Sequence, residues 1–217
     1  MRRALDLFCK AGGASMGLHR AGFDVVGVDI EPQPNYPFTF VQADALRPPF
    51  DLGGFDFVWA SPPCQDDSIG AARWKSAGRV YPNLIEPTRE LLRGHPFTAI
   101  ENVPRAKLRR DLALTGAMFG LKTYRRRHFE LSFFCMAPQP GRPFGPLTKA
   151  GSYTAAGNGG HGPNRPRLWA ADMGVDRDTL MAHYQSNHVA VAYGDVFGEM
   201  VALSLELGFR VRVLGAT

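Results

Sequence analysis

Cys64 stands in the run Ser61-Pro62-Pro63-Cys64-Gln65, directly after the compact apolar segment Phe55 to Ala60. A thiolate is a strong nucleophile at neutral pH. Just past the carboxyl end of a buried strand is where open α/β sheets bind their ligands. The two prolines stiffen the approach to the thiol. The plain alternative for a free cysteine is a small buried core residue. Glu101-Asn102-Val103 closes the next apolar segment, Phe97 to Ile100, so its carboxyl group falls on the same rim. An acid there could hold or pass a proton; the alternative is a helix cap or a surface acid. Arg125-Arg126-Arg127 precedes the strand-like Phe129 to Phe134. Guanidinium groups suit phosphate and base contacts, although such a run is more often a solvated face. Strand alternation sets Arg125 and Arg127 on one side and Arg126 on the other.

A second group opens the chain. Asp6-Leu7-Phe8-Cys9-Lys10-Ala11-Gly12-Gly13 follows a short apolar strand and leads into a helix. Glycines in such a turn let the backbone approach a ligand, and the helix start offers free N–H groups. One strand further on comes Asp29, an acid placed to take both hydroxyls of a ribose. Asp44, after Val41-Gln42-Ala43, could accept a hydrogen bond from an adenine amino group. The pattern is that of a general nucleoside site and lacks the GxGxxG of a dinucleotide fingerprint; a tight turn without ligand remains the alternative.

These residues need elements to hold them, and the first half supplies an alternation of strand and helix. Strands are predicted at Ala4 to Phe8, Val25 to Ile30, Phe38 to Val41, Phe55 to Ala60 and Phe97 to Ile100. Helices are predicted at Ala14 to Ala21, closed by Gly22, and at Asn83 to Arg93, between Pro82 and Gly94. This alternation calls for a mostly parallel α/β sheet. Pro138 to Arg167 is dense in Gly, Pro, Arg and Asn and reads as loop; helical pattern returns at Arg177, and Phe209 to Leu214 could be a last strand. The 217 residues suit one domain with a modest insert. The net charge of +5 fits a polyanionic partner but only weakly selects one. Three cysteines, Cys9, Cys64 and Cys135, form neither a disulfide framework nor a zinc pattern. There is no signal region and no apolar run long enough to cross a bilayer, so a soluble intracellular protein is expected.

In order and spacing these pieces resemble the DNA cytosine-5 methyltransferase family, over roughly residues 4–131 and 168–208. Asp6 to Gly13 is similar to that family's methyl-donor loop, Ser61 to Gln65 to its nucleophile motif, and Glu101-Asn102-Val103 to its Glu-Asn-Val motif. Arg125 and Arg127 match the arginines of Gln-x-Arg-x-Arg, and Gln185-Ser186-Asn187-His188-Val189 stands where a Gly-Asn-Ala-Val-like segment closes over the donor. The resemblance implies a Rossmann-like class I methyltransferase fold, with a mostly parallel central sheet, helices on both faces and a small loop-rich insert. It implies S-adenosylmethionine as donor, S-adenosylhomocysteine as product and no metal. By the same resemblance Cys64 adds to carbon 6 of cytosine, Glu101 holds the ring at N3, Arg127 contacts the base carbonyl and Arg125 orients the site. The donor would lie on Phe8, Gly12, Gly13, Asp29, Ile30, Asp44, Ala45, Pro63, Leu84, Asn187 and Val189. Substrate contacts would come from Gln65, Ser68, Asn102, Arg165 and Arg167. The target base must leave the helix stack to be reached.

The chain departs from the family in several places. Lys10 stands where Gly is common; a lysine side chain can point away, so this departure costs little. Asp66-Asp67-Ser68 replaces a small-aromatic-Ser run, Thr123 replaces the glutamine of the arginine motif, Ser186 replaces Gly, and Val191-Ala192 replaces Pro-Pro. The recognition region is reduced to an insert at 132–181 between catalytic segments 1–131 and 182–217. That shortness resembles the compact enzymes of bacterial viruses. It leads us to expect a short or relaxed recognition sequence, read with help from Arg142, Lys149, His161, Arg165 and Arg167. A cytoplasmic monomer in a bacterial or phage-infected cell is expected. Methylation of RNA or of a free cytosine nucleotide, or an inactive DNA-binding relative, are the alternatives.

Overall fold

A computed structural model describes residues 1–63, 83–115, 118 and 126–135. Seven strands form one sheet: β1 (Arg2–Leu7), β2 (Phe23–Asp29), β3 (Thr39–Gln42), β4 (Phe57–Ala60), β5 (Thr98–Asn102), β6 (Leu112–Leu114) and β7 (Arg127–Leu131). Two helices are described, α1 (Gly13–Arg20) and α2 (Ile85–Leu91), with a 3-10 turn at Leu52–Gly54. The strand order is β3-β2-β1-β4-β5-β7-β6. The first five strands are parallel, and β7 runs antiparallel to both β5 and β6.

Both faces of the sheet are covered, which explains why its strands read as apolar runs rather than as alternating ones. Ala4, Val25, Phe57, Ala99 and Phe129 face one core with Leu18 of α1. Their neighbours Leu5, Val26, Val58 and Ile100 face the other, with Leu92 just after α2. Trp59 meets Phe129 edge-on at 5.7 Å, joining β4 to β7. A dry aromatic contact of this kind adds about 1 kcal/mol to the area it buries.

The predicted elements are found with shifted ends. Strand β1 stops at Leu7 because Phe8 turns into the left-handed region, φ +62°. Strand β2 begins at Phe23, where it pairs with Arg2, and Phe55 belongs to the exit of the 3-10 turn rather than to β4. Helix α2 is shorter than 83–93: Asn83 instead accepts a hydrogen bond from the Ile85 N–H through its side chain. Strand β6 was not expected, and β7 starts at Arg127, earlier than Phe129. The insert beyond residue 135 and the segment 182–217 lie outside the described residues. Among the described residues no helix is long and apolar enough to cross a membrane, and no group of His, Cys, Asp and Glu is placed to hold a metal ion.

Candidate active site

Strand β1 lies between β2 and β4, so successive connections leave it in opposite directions. The carboxyl ends of β1, β2, β4 and β5 meet at this switch point, where open α/β sheets take ligands. Antiparallel β7 brings its amino end to the same rim, with His128 opposite Asn102. Arg127 therefore arrives beside Glu101, and its Nε lies 2.5 Å from the Glu101 carboxylate. Both side chains are partly buried, and an Arg127 terminal nitrogen also donates to the Arg126 carbonyl at 2.9 Å. A carboxylate and a guanidinium side by side offer an acceptor and a fork of donors to one planar polar edge.

The chain leading to Cys64 is held from both sides. The Ser61 N–H donates to the Leu7 carbonyl at 3.1 Å, and the Asn102 amide nitrogen donates to the Pro62 carbonyl at 3.0 Å. The Asn102 side-chain oxygen accepts from the Val103 N–H at 2.8 Å, and the residue is 1% exposed. Asn102, expected at the substrate, thus spends its amide on tying β5 to the Pro62-Pro63 approach. Cys64, Gln65, Ser68, Arg125, Arg165, Arg167, Asn187 and Val189 lie outside the described residues.

On the other side of β1 the rim carries Asp29, Lys10 and Ile30. Asp29 ends β2 and is 2% exposed. Its Oδ2 accepts from the Lys10 N–H at 3.1 Å; its Oδ1 accepts from the Glu31 N–H at 3.0 Å and from Lys10 Nζ at 3.3 Å. Lys10 Nζ also meets Glu31 at 2.8 Å. The Lys10 side chain does not point away: the acids at the end of β2 draw it in. Ile30, next to Asp29, is 66% exposed. Phe8 is half-buried against the second core, and Pro63 is half-buried. Asp44 is exposed and accepts from the Leu46 N–H at 2.9 Å, whereas Ala45 is buried in the core. Leu84 caps α2, accepting from Thr88.

Beneath the turn lies a buried polar chain that the sequence reading did not assign. The Ser15 hydroxyl on α1 donates to Asp6 at 2.5 Å and lies 2.5 Å from the Tyr36 hydroxyl. The Tyr36 ring fills the space beside Gly27, where a Cβ would come within 2.3 Å of it, and beside Gly12, φ +82°. The bareness of Gly12 thus admits Tyr36 from the same chain. Gly13 begins α1. Burial pushes the Asp6 carboxyl up to about 7, with Ser15 pulling the other way and Asp29 adding to the rise. Burial, then Asp6, also raises the Cys9 thiol, so Cys9 is no candidate nucleophile.

Strand order, the antiparallel β7 and helices on both faces define a Rossmann-like class I methyltransferase fold. No protein-family model matches the chain. It is 27% identical over 150 residues to Type II methyltransferase M.HgiDI of Herpetosiphon aurantiacus, a match covering 63% of this chain and 48% of that protein. It is 29% identical over 120 residues to Type II methyltransferase M.HgiGI of the same organism, covering 49% of this chain and 94% of that protein. The chain thus spans about half the length of M.HgiDI. Among solved structures the S. pombe Dnmt2 methyltransferase has the same fold, with a TM-score of 0.57 at 13% identity over 95% of this chain and 99% of that one.

Proposed function

We propose that this protein is a DNA methyltransferase that moves a methyl group from S-adenosylmethionine to carbon 5 of a flipped-out cytosine, with Cys64 as nucleophile. The observation that carries the reading is the Glu101–Arg127 pair on the rim, with Asn102 of the same strand holding the chain that leads to Cys64. A cytosine presents N3 and its carbonyl oxygen side by side, and a carboxyl group next to a guanidinium matches that edge. The similarity to two Type II methyltransferases supports the reaction class.

The residues present fit the donor. Asp29 offers a buried carboxylate for a ribose, Ile30 and Phe8 offer apolar surface for a flat ring, and α1 begins just past the turn. When bound, the donor supplies an electrophilic methyl group on a sulfonium. The Cys64 thiolate adds to carbon 6, and a proton held at N3 by Glu101 lets the ring accept the electron pair. Arg127 holds the carbonyl oxygen. Carbon 5 thereby becomes nucleophilic enough to take the methyl group. Loss of the proton on carbon 5 and expulsion of the thiol restore the aromatic ring.

The test is direct. The protein is incubated with S-adenosylmethionine and unmodified DNA, the DNA is digested to nucleosides, and 5-methylcytosine is sought by mass spectrometry. Product with the native chain and at least a thousandfold less with Cys64→Ala is expected, on the order of a lost nucleophile. Product on RNA or dCMP but not on DNA overturns the substrate, and 5-methylcytosine formed equally by Cys64→Ala overturns the mechanism.

A further inference from the structure

We infer that Lys10 sets how tightly this site holds a nucleoside, because its ammonium occupies the part of Asp29 that the two ribose hydroxyls of the donor need. The inference rests on the donor site proposed above. An ionised carboxylate has about four acceptor positions. Three of those on Asp29 are filled: Oδ1 by Lys10 Nζ and the Glu31 N–H, Oδ2 by the Lys10 N–H. The two backbone donors are fixed by the fold. The Cys9 N–H is bonded to the Val28 carbonyl, which pins the turn before Lys10, and Glu31 follows directly on β2. Only the ammonium rides on a flexible stem. One position remains on a carboxylate that a vicinal diol would grip with two hydrogen bonds, so the ribose must expel the ammonium.

Glu31 makes that expulsion affordable. It already holds Lys10 Nζ at 2.8 Å and is half exposed, so the displaced ammonium stays paired at the solvent edge. Without a ligand, the same ammonium compensates a carboxylate that would otherwise be buried with only backbone donors. Lys10 is thus a displaceable plug: it satisfies the empty site and weakens the filled one. It does so from a position where glycine, which has no side chain to compete, is common in the family the sequence resembles.

Calorimetric titration with S-adenosylhomocysteine tests this. Lys10→Met keeps the apolar stem and removes the charge, and it should bind roughly three- to tenfold more tightly than the native chain, as expected for loss of one charge-assisted competitor. Lys10→Arg, which keeps charge and reach, should bind as the native chain does. The gain should also be present for adenosine and absent for 2′,3′-dideoxyadenosine, a contrast that a general structural role for Lys10 would not produce. Unchanged or weaker binding by Lys10→Met, or an equal gain for the dideoxy compound, overturns the inference while leaving the donor site standing. If the native chain and both variants bind neither S-adenosylhomocysteine nor adenosine, the donor site itself is overturned, and this inference with it.

Discussion

Asp6 lies near the end of β1 with one carboxylate oxygen on the Ser15 hydroxyl and the other without a hydrogen-bond partner. Its burial raises its ionisation from the ordinary 3.8 to about 7. Between those values the folded chain keeps a proton that the unfolded chain has released. Folding stability contributed here is therefore intact below about pH 4 and falls as pH rises, with the loss complete above about pH 7. From pH 5 to pH 8 the loss is on the order of 3 kcal/mol. In urea unfolding at the two pH values, Asp6→Asn should lack this decline and gain on the native chain by about that amount. Parallel pH dependence in both proteins would show that Asp6 is ionised throughout. The position is informative because Ser15 and Tyr36 link it to α1 and to the β2–β3 connection. The same proton thus bears on how firmly the turn after β1 is seated.

At the scale of elements, α2 is fastened to β7 by one arginine. Glu130 on β7 has a side chain only 7% exposed, and Arg89 of α2 reaches it with two hydrogen bonds of 2.8 Å; the Arg109 N–H adds a third at 3.0 Å. Burial opposes the Glu130 charge, yet the Arg89 and Arg109 bonds hold its carboxyl below the usual range. Arg89→Met leaves that carboxylate buried without its main partner and should cost about 2–4 kcal/mol in urea unfolding. Glu86, which pairs with the same arginine in solvent, is the control: Glu86→Gln should change stability by less than about 1 kcal/mol. Equal small effects would mean that water reaches Glu130. The contrast also shows what sequence can reveal. Strands β1, β2, β4 and β5 were legible because both of their faces are buried, which leaves uninterrupted apolar runs. Strand β6 was not, since Leu112–Leu114 follows a charged stretch and is a strand only through its pairing with β7. Glu101 and Arg127 could be picked by motif, but their meeting depends on the antiparallel register of β5 and β7, which local sequence does not encode. The place of the Lys10 side chain was hidden for the same reason. Its partners Asp29 and Glu31 are in plain view, but only the adjacency of β1 and β2 brings them to it.

At the scale of the whole molecule, the +5 charge matters through where it is displayed. Arg105 and Lys107 follow β5 just beyond Glu101, and Arg126 immediately precedes Arg127; all three are exposed, as is Arg110. None of the four is ion-paired to another described residue, although Arg89, Arg93 and Arg109 all are. Burial, then Arg110 and Arg126, hold the His128 imidazole below its ordinary value. Of these cations, Arg126 adjoins Arg127 and Arg105 lies four residues past Glu101. A duplex lying over that rim would release counterions to it. Each phosphate contact steepens the fall of log K with log salt by about 0.9. Arg105→Ala with Arg126→Ala should therefore weaken duplex binding at low salt and flatten the salt slope by about two, with little change for S-adenosylhomocysteine, which carries no phosphate. An unaltered slope would move the nucleic acid off this edge and leave the cations to the solubility of the protein. A slope flattened together with loss of S-adenosylhomocysteine binding would instead mean that the two arginines support the fold of the rim.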